Sequence, residues 1–319
     1  MKQNRLMQDM EPEMESIMEP EMESIMEPEM ESIMEPEMKP NALADTPPDD
    51  AFRQSWRRKW ALLRLFIRTS VQQDTAFRGD VAAKLVDTLI GLAGSLGAIL
   101  MLFSARESFN GWGFHEILCV TGVFLTLQGL RGLFRSPSLS LLAGMDGELW
   151  DGRFDYTLLK PVPVRFHISV RRWSPLAAVD VLLGLCVLGY AVSRLGLAWD
   201  PVRVLVFLGI LGSGMVLLYA LMMMLASFAF WYLGTPLLWI LDSVMELGRY
   251  PVRLYPPFFR HLLTWLLPVG MMISLPVESL MGRAPGWEML LAPVVAAVFY
   301  AASCIFFRES LKRYASATS

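Results

Sequence analysis

The chain has 319 residues, 54% of them hydrophobic, and a mean hydropathy of +0.41. Several apolar runs are long enough to cross a hydrocarbon core of about 30 Å, which takes roughly 20 residues, so the composition excludes an ordinary soluble protein. The net charge of −3 averages two regions: residues 1–50 hold 15 acidic and 3 basic residues, a net of −12, and the remainder nets +9. The composition predicts an all-α integral membrane protein with a basic body and an acidic tail.

Residues 1–50 contain a tandem repeat, in which EPEMESIM occurs three times between Glu11 and Met34. Proline at every eighth position interrupts a helix and closely spaced glutamates repel each other, so this segment is expected to be a disordered acidic tail. Its regularly spaced methionines could hold Cu(I), but no Cys or His accompanies them, and we predict no metal site. The start of the chain lacks an apolar segment behind a basic beginning, so no signal peptide is expected.

Residues 51–84 combine two stripes at helical spacing. Trp56, Trp60 and Ile67 belong to an apolar stripe, and Arg57 and Arg64 belong to a basic stripe beside it. Tryptophan is enriched at membrane interfaces, and arginine pairs with anionic headgroups, so the pattern predicts an amphipathic helix that lies in the interface. An ordinary soluble helix packed on a partner is the alternative.

Six apolar segments follow, with predicted bounds Leu85–Phe103, Ile117–Phe134, Leu176–Leu197, Val204–Leu233, Leu262–Leu280 and Met289–Phe307. With the N-terminus inside, this count places 24 of the 28 basic residues on the cytoplasmic side. It leaves only four outside: Arg106, Arg194, Arg203 and Arg283. Because cytoplasmic loops carry the excess of Lys and Arg, both termini are predicted to be cytoplasmic. The transmembrane domain is predicted over residues 85–314, with a short tail at 315–319.

The fourth span is ambiguous because no charged residue occurs between Arg203 and Asp242. A single straight helix over that run would be about 57 Å long, nearly twice the core thickness. Residues 234–236 offer a break, so we expect the span to end near Leu233 and Pro236–Leu247 to lie at the cytoplasmic interface. One long helix over residues 204–247 is the alternative.

Motifs for catalysis are absent from the sequence. It contains no G-x-x-x-x-G-K-[ST] phosphate loop, no H-E-x-x-H metal motif and no G-x-S-x-G nucleophile elbow. Its three cysteines, Cys119, Cys186 and Cys304, all fall within predicted spans, where a thiol usually serves as a small apolar filler. We therefore expect no enzyme, no catalytic residue, no cofactor or metal bound by this chain, and no nucleic-acid partner.

The loop between spans two and three, residues 136–172, reads GRFDYTLLKPVP from Gly152 to Pro163. Acidic and apolar residues alternate there, so aromatic anchors could enter a partner's groove while the acids meet basic groups at its rim. The residues predicted to make this contact are Glu148, Trp150, Asp151, Phe154, Asp155, Leu158, Lys160 and Pro161. A solvated loop that only orients the spans is the alternative.

Ionisable residues in spans are costly and point to pairs or pathways. Asp87, Arg131 and Asp180 fall near the cytoplasmic ends of three spans, where they could form ion pairs or an acidic gateway for cationic substrates. Glu278 lies near the outer end of the proline-interrupted fifth span, where it either faces an exit vestibule or is solvated at the boundary.

The fourth span carries methionine and aromatic residues, among them Met223 and Trp231. Such side chains line adaptable hydrophobic surfaces and fill irregular cores equally well. The two residues are therefore candidates for a substrate pathway, with ordinary helix packing as the alternative.

The order of these elements, the motif G-x-x-x-x-x-L-x-K-P in the loop, and the segment from Arg249 to Gly282 resemble the permease subunits of ABC-2 type exporters. Within them the chain is most similar to the DUF990 branch of ABC-2 family transporter proteins, over about residues 52–314. The acidic repeat lies outside the likeness.

The resemblance implies a six-helix permease that pairs with a second permease, as a homodimer or a heterodimer. Two copies of a separate ATP-binding subunit, which hold the ATP and Mg, would drive it. Such a permease moves an amphipathic or drug-like substrate outward across the bacterial inner membrane, and the loop at residues 136–172 would be its coupling element. A secondary transporter and a non-transporting membrane scaffold or assembly protein are the alternatives.

Overall fold

The computed structural model describes residues 60–70, 78–104, 108–134, 136–143, 147–160, 162–196, 200–232 and 237–314. The chain divides into two units, residues 1–65 and 66–319. Residues 60–70 are helical, within the segment predicted to be an amphipathic helix. The predicted acidic tail and the C-terminal tail at 315–319 lie outside the described residues.

Helices form nearly all of the described part of the second unit. In chain order they are α1 Arg78–Phe103, α2 Phe114–Phe134, α3 Ser136–Ala143, α4 Phe154–Leu159, α5 Val164–Val170, α6 Ala178–Leu195, α7 Pro201–Phe228, α8 Leu237–Met245, α9 Pro257–His261, α10 Leu275–Leu280 and α11 Gly286–Lys312. Short 3₁₀ or π-helical turns precede or extend several of them: Pro175–Ala177, Glu246–Arg249, Val252–Leu254, Leu262–Leu266 and Gly270–Ser274.

Five of these helices are long and apolar enough to cross a membrane, within the ranges that the structure describes. They are Ala82–Phe103, Phe114–Leu133, Pro175–Leu195, Pro201–Phe228 and Gly286–Lys312. They coincide with five of the six predicted spans and confirm an all-α, multi-pass membrane architecture. The α2 helix is central, because 61% of its apolar stretch is buried, against 17% for α1 and for α6.

Local sequence sets the ends of the spans. The Asp200 carboxylate accepts a hydrogen bond from the backbone N–H of Val202 at 3.0 Å, and Pro201 supplies the first helical residue, so α7 begins there. Gly196 adopts φ 59°, a left-handed conformation that glycine tolerates, and ends α6. The α7 helix ends at Phe228, earlier than the predicted Leu233.

The α2 and α6 helices pack so closely that their contact requires glycine. A Cβ added to Gly129 would lie 2.5 Å from the backbone nitrogen of Val181, and one added to Gly184 would lie 2.5 Å from that of Thr126. Small residues at a helix crossing let backbones approach within the bilayer. The α7 and α11 helices form a second closely packed pair.

Two ends of the bundle can be defined from its helices. At the loop end, α2 ends at Phe134 and α6 begins at Ala178; at the far end, α2 begins at Phe114. The α7 and α11 helices also run from the far end to the loop end, because Arg283, just before α11, pairs with Glu116 of α2 at 2.6 Å. The chain between α7 and α11 must therefore return from the loop end to the far end.

The fifth predicted span, Leu262–Leu280, is interrupted, as its prolines predicted. Pro257–Leu266 and Gly270–Leu280 are both apolar, but they are bent by 80° at the break between them. That break contains Pro268, which has no N–H to continue a helical hydrogen-bond ladder.

The chain begins its return to the far end before Pro257, in a segment that lies along α2. Asp242 of α8 pairs with Arg131, and the carbonyl of Arg249 accepts a hydrogen bond from the Thr121 hydroxyl at 3.3 Å. These contacts rise by ten residues of α2, about 15 Å at 1.5 Å per residue. Asp242, inside the segment Pro236–Leu247, pairs only three residues before the loop end of α2, so the expected interfacial position of that segment stays a prediction, while Arg249, two residues beyond it, lies deeper along α2.

Residues 270–280 complete the passage. A Cβ on Gly248 would lie 2.3 Å from the Ile273 side chain, so this segment begins beside Gly248, and it ends three residues before Arg283 at the far end. The fifth passage thus consists of two half-length segments, residues 237–249 and 270–280, with residues 250–269 between them. Interrupted helices at membrane depth are tolerated when protein or a cavity surrounds their free backbone groups.

Candidate functional site

The predicted coupling segment is tied to the bundle by an aromatic cluster. Phe154, the first residue of α4, is completely buried, and its ring stands edge-on to those of Phe230 and Tyr314 at centroid distances of 5.2 and 5.1 Å. Phe230 follows α7 and Tyr314 follows α11, so one side chain joins α4 to both helices. The prediction that Phe154 enters a partner's groove does not fit this conformation, because the groove it occupies belongs to its own chain.

Glu148 also faces inward. Its carboxylate pairs with Arg171, whose side chain is 8% exposed, and accepts a hydrogen bond from the Thr157 hydroxyl at 3.1 Å. The pair fixes the turn before α4 against the end of α5. Glu148 is therefore not placed to meet a partner's basic group, as the sequence had suggested.

Four apolar side chains of this segment face outward, and we call them the loop patch: Trp150, Tyr156, Leu158 and Leu159, with exposed fractions of 58, 71, 39 and 80%. The sequence analysis singled out Trp150 and Leu158 but not Tyr156 or Leu159. Tyr156 and Leu159 are three residues apart, and residues at this spacing lie on the same face of a helix. That spacing could have identified them from the sequence.

The remaining predicted coupling residues surround the patch. Asp151 is bridged to Arg153 at 2.7 Å, and Asp155 is half-buried. The Nζ of Lys160 lies 3.5 Å from Nε2 of His167. Pro161 lies outside the described residues.

His167 on α5 is buried beneath the coupling segment. Its ring packs against Phe66 with centroids 5.5 Å apart, and its exposed fraction is 5%. Burial, together with the positive charges of Lys160 and Arg171, lowers the pKa of His167 to about 3. His167 is therefore a neutral packing residue at neutral pH.

Arg165 of α5 points into the helical bundle. Arg165 donates to the Ser303 hydroxyl at 3.0 Å, contacts the Cys304 sulfur, and places its guanidinium 4.8 Å from the centroid of the Tyr300 ring. These partners lie on α11, two to three turns from its end, and Arg165 Nε also lies 3.4 Å from the Tyr219 hydroxyl on α7. Sequence reasoning missed this residue, since an arginine in a basic loop carries no signal of where it points.

A polar cavity of about 590 Å³ lies at the loop end, between α1, α2, α6 and the turn after α8; we call it the polar chamber. Asp87, Arg131 and Asp180 all line it. The Nζ of Lys84 lies 3.0 Å from Asp180 and 3.6 Å from Asp87, whereas Arg131 pairs with Asp242. Lys84 thus pairs with both predicted aspartates, and Arg131 pairs with Asp242 and with neither of them; the acidic gateway stays a prediction.

Glu278 borders a second cavity, of about 470 Å³, toward the far end. Its side chain is 5% exposed and lies 2.7 Å from the guanidinium of Arg253, so it is not a solvated boundary residue. Trp265 and Trp287 line the same cavity, which gives it one ion pair and aromatic walls.

Met223 and Trp231, the candidates on the fourth span, differ in burial, since Trp231 is 42% exposed. Met223 is completely buried in the main core. Trp231 donates from Nε1 to the Ser310 hydroxyl at 3.2 Å, and the Arg313 guanidinium lies 4.6 Å from its ring. Neither residue borders either of the two polar cavities described above.

A helical bundle with an interrupted fifth passage, two polar cavities and an anchored loop segment at one end defines a multi-pass membrane protein of the transporter type. Residues 89–318, more than two thirds of the chain, match the family described as ABC-2 family transporter protein, and the chain belongs to that family. Neither a curated protein nor a solved structure matches it. Members of the family are the membrane permeases of ABC transporters and associate with an ATP-binding subunit.

Proposed function

We propose that the chain is the permease subunit of an ATP-driven exporter, moving an amphipathic or drug-like substrate outward. Separate ATP-binding subunits, two per complex, hydrolyse the ATP with Mg and dock at the loop patch. A second permease, identical or different, completes the complex in the bacterial inner membrane, with the loop end and both termini in the cytoplasm. The observation that carries this proposal is the loop patch, an exposed apolar surface on a segment whose other side is locked into the bundle.

The composition of the loop patch supports docking. Tryptophan and tyrosine are enriched at protein interfaces, and they contribute most when charged residues at the rim exclude water around them. Trp150 and Tyr156 supply the aromatic anchors, while Asp151 and Arg153 supply the rim. The positive excess at the loop end supports a cytoplasmic location, where an ATP-binding subunit would be found.

Contacts on the inner side of the loop patch connect it to α7 and α11, so docking there would act on these helices. Phe154 packs against the ends of α7 and α11, and Arg165 reaches the same two helices deeper in the bundle. Close-packed interiors transmit displacement rather than absorb it. Closure of the ATP-binding subunits would therefore move α7 and α11 together against the glycine-packed pair α2 and α6.

The test is a double substitution on the loop patch, Trp150→Ala with Leu159→Ala. Truncating a central aromatic anchor costs about 2 kcal/mol or more, so retention of the ATP-binding subunit during purification should fall by about 30-fold. The matched control is Trp239→Ala on α8, where the side chain is 70% exposed but lies outside the loop patch.

The partner to co-express is an ATP-binding cassette subunit from the same genome, with substrate-stimulated ATPase activity as the second readout. Full retention and full stimulation with the double variant would refute docking at this surface. Loss of both with Trp239→Ala as well would indicate a general effect on folding and would equally count against it.

A further inference from the structure

Two tryptophans and an unpaired carboxylate line the cavity of about 470 Å³ toward the far end, which we call the far cavity. Trp265 and Trp287 have exposed fractions of 53 and 58%. Glu288, half-buried in the first turn of α11, has no hydrogen-bond or ionic partner for its side chain among the described residues. The far cavity thus combines aromatic walls with a carboxylate that can accept a partner.

The other charged side chains that line the far cavity are engaged or hydrated. Glu278 pairs with Arg253 at 2.7 Å. Arg260 is exposed to solvent, and one of its Nη atoms donates to the carbonyl of Arg253 at 2.9 Å. His261 Nδ1 donates to the carbonyl of Pro257 at 2.7 Å. An exposed charge is hydrated by water, whereas a half-buried one gains from a counter-ion, so the carboxylate is the group that a ligand would stabilise most.

Repulsion between two carboxylates adds to the preference for a cation. The negative charge of Glu288 acts unfavourably on Glu278, whose side chain is 5% exposed. Like charges repel more strongly where water is scarce. A cation beside Glu288 would offset this repulsion, and an anion would add to it.

The aromatic walls favour the same sign of charge. The face of an indole ring carries partial negative charge, and tryptophan is the aromatic residue that attracts ammonium groups most strongly. A metal ion does not suit the site, because no group of three or more His, Cys, Asp or Glu side chains in the described ranges could hold one. The volume of the far cavity is typical of small-molecule sites, which measure about 300–1,000 Å³. An organic cation therefore fits its chemistry and its size.

The surface beside the far cavity suits a hydrocarbon chain. Leu290, Val294 and Val298 follow Trp287 along α11, with exposed fractions of 75, 56 and 60%. Residues three or four apart lie on one face of a helix, so these side chains form an apolar stripe that begins at the cavity. An ammonium group held in the far cavity can therefore carry an alkyl chain along α11.

We propose that the far cavity binds organic ammonium ions, with Glu288 as the counter-ion and with Trp265 and Trp287 as aromatic walls. This inference names the substrate class of the proposed exporter and to that extent rests on the proposed function. Binding itself requires no ATP-binding subunit, so the two can be tested apart.

The experiment measures equilibrium binding to the purified full-length chain in a nonionic detergent by isothermal titration calorimetry. Three probes share one hexyl chain and differ in the headgroup: trimethylammonium, its uncharged tert-butyl isostere and sulfonate. We expect the ammonium probe to bind at least tenfold more tightly than either of the others, because it alone gains the ion pair and the cation–π contacts. Equal affinities for the three, or preference for the isostere or the sulfonate, would overturn the proposal.

Substitution of Glu288 tests the counter-ion. Glu288→Gln keeps the shape of the side chain and removes its charge, so the ammonium probe should bind about tenfold more weakly while the affinity for the isostere stays the same. Glu309→Gln, which removes an exposed carboxylate near the other end of α11, is the matched control and should bind normally. Unchanged ammonium binding in Glu288→Gln, or an equal loss in Glu309→Gln, would refute the assignment.

Substitution of Trp287 tests the aromatic walls. Trp287→Leu should weaken binding of the ammonium probe about fivefold, as expected for the loss of one cation–π contact, and Trp287→Phe should restore most of that loss. Trp239→Leu, on an exposed tryptophan of α8 outside the far cavity, is the control. Equal affinities in Trp287→Leu and Trp287→Phe would show that the ring contributes only bulk and would contradict an aromatic ammonium site.

Competition separates the two sources of this headgroup. Displacement of the hexyl probe by tetramethylammonium identifies a soluble cation, and displacement only by ammonium compounds with an alkyl chain identifies an amphiphile; either result supports ammonium recognition. Selective binding without ATP-dependent transport of the ammonium probe would leave the inference standing and the proposed function refuted. ATP-dependent transport of neutral amphiphiles without ammonium selectivity would do the reverse.

Discussion

Replacing Arg165 by methionine is expected to weaken the link between α5 and the bundle while leaving the loop patch intact. Methionine retains an unbranched stem but loses the hydrogen bond to Ser303 and the contact with the Tyr300 ring. A hydrogen bond from a charged group contributes about 1.5–3 kcal/mol and a partly buried cation–π contact about 1 kcal/mol. Because Arg165 is only half-buried, we expect a total loss at the lower end, about 2–3 kcal/mol.

The assay uses the complex of the variant permease with its ATP-binding subunit in proteoliposomes. A loss of this size should lower the midpoint of thermal unfolding by about 4–12 °C for a domain of this length. The ATP-binding subunit should stay bound and hydrolyse ATP at its basal rate, while stimulation by substrate is lost. Arg194→Met, which removes an exposed arginine at the far end of α6, is the control and should change neither quantity. An unchanged midpoint and unchanged stimulation in Arg165→Met would refute the reasoning.

The remaining predictions concern stability. Gly184→Ala should lower the unfolding midpoint because its Cβ would strike the α2 backbone at Thr126, whereas Gly189→Ala on the same helix has open space and should not; equal effects would contradict the close packing. Glu278→Ala leaves Arg253, 47% exposed, without its partner and should cost about 1–2 kcal/mol, more than Glu309→Ala at an exposed pair; the reverse order would count against a buried pair. The pKa of His167 is about 3 in the folded chain and about 6.5 in the unfolded chain, so as the pH falls the unfolded chain takes up a proton before the folded chain does. Stability is then complete above about pH 6.5 and falls by about 2 kcal/mol at pH 5, and a His167→Gln variant with the same pH profile would disprove this.

The sequence predicted five spans well because each is a continuous apolar run, and hydropathy alone identifies such runs. It did not resolve the fifth passage, because residues 204–241 hold no charged side chain to mark where a span ends, and the path is decided by tertiary partners. The pairing of Asp242 with Arg131 and the hydrogen bond of Arg249 to Thr121 hold residues 237–249 beside α2. Neither contact leaves a local pattern in the sequence.

In the coupling segment, too, the positions of single side chains depend on tertiary contacts that the sequence does not reveal. Trp150 and Phe154 are both aromatic and flanked by acids, so sequence reasoning gave them the same role. The structure separates them, because Phe230 and Tyr314, far along the chain, enclose Phe154 and leave Trp150 exposed. The direction of Arg165 likewise depends on Ser303 and could not be inferred from α5 alone.

Docking of an ATP-binding subunit on the loop patch is tested most directly by photo-crosslinking. With p-benzoylphenylalanine in place of Tyr156, which is 71% exposed, irradiation of the assembled complex should yield an adduct between the permease and the ATP-binding subunit. The same label in place of Trp287, exposed at the far end, should yield no such adduct. Adducts from position 287 but not from position 156, or adducts with lipid alone from position 156, would contradict the account.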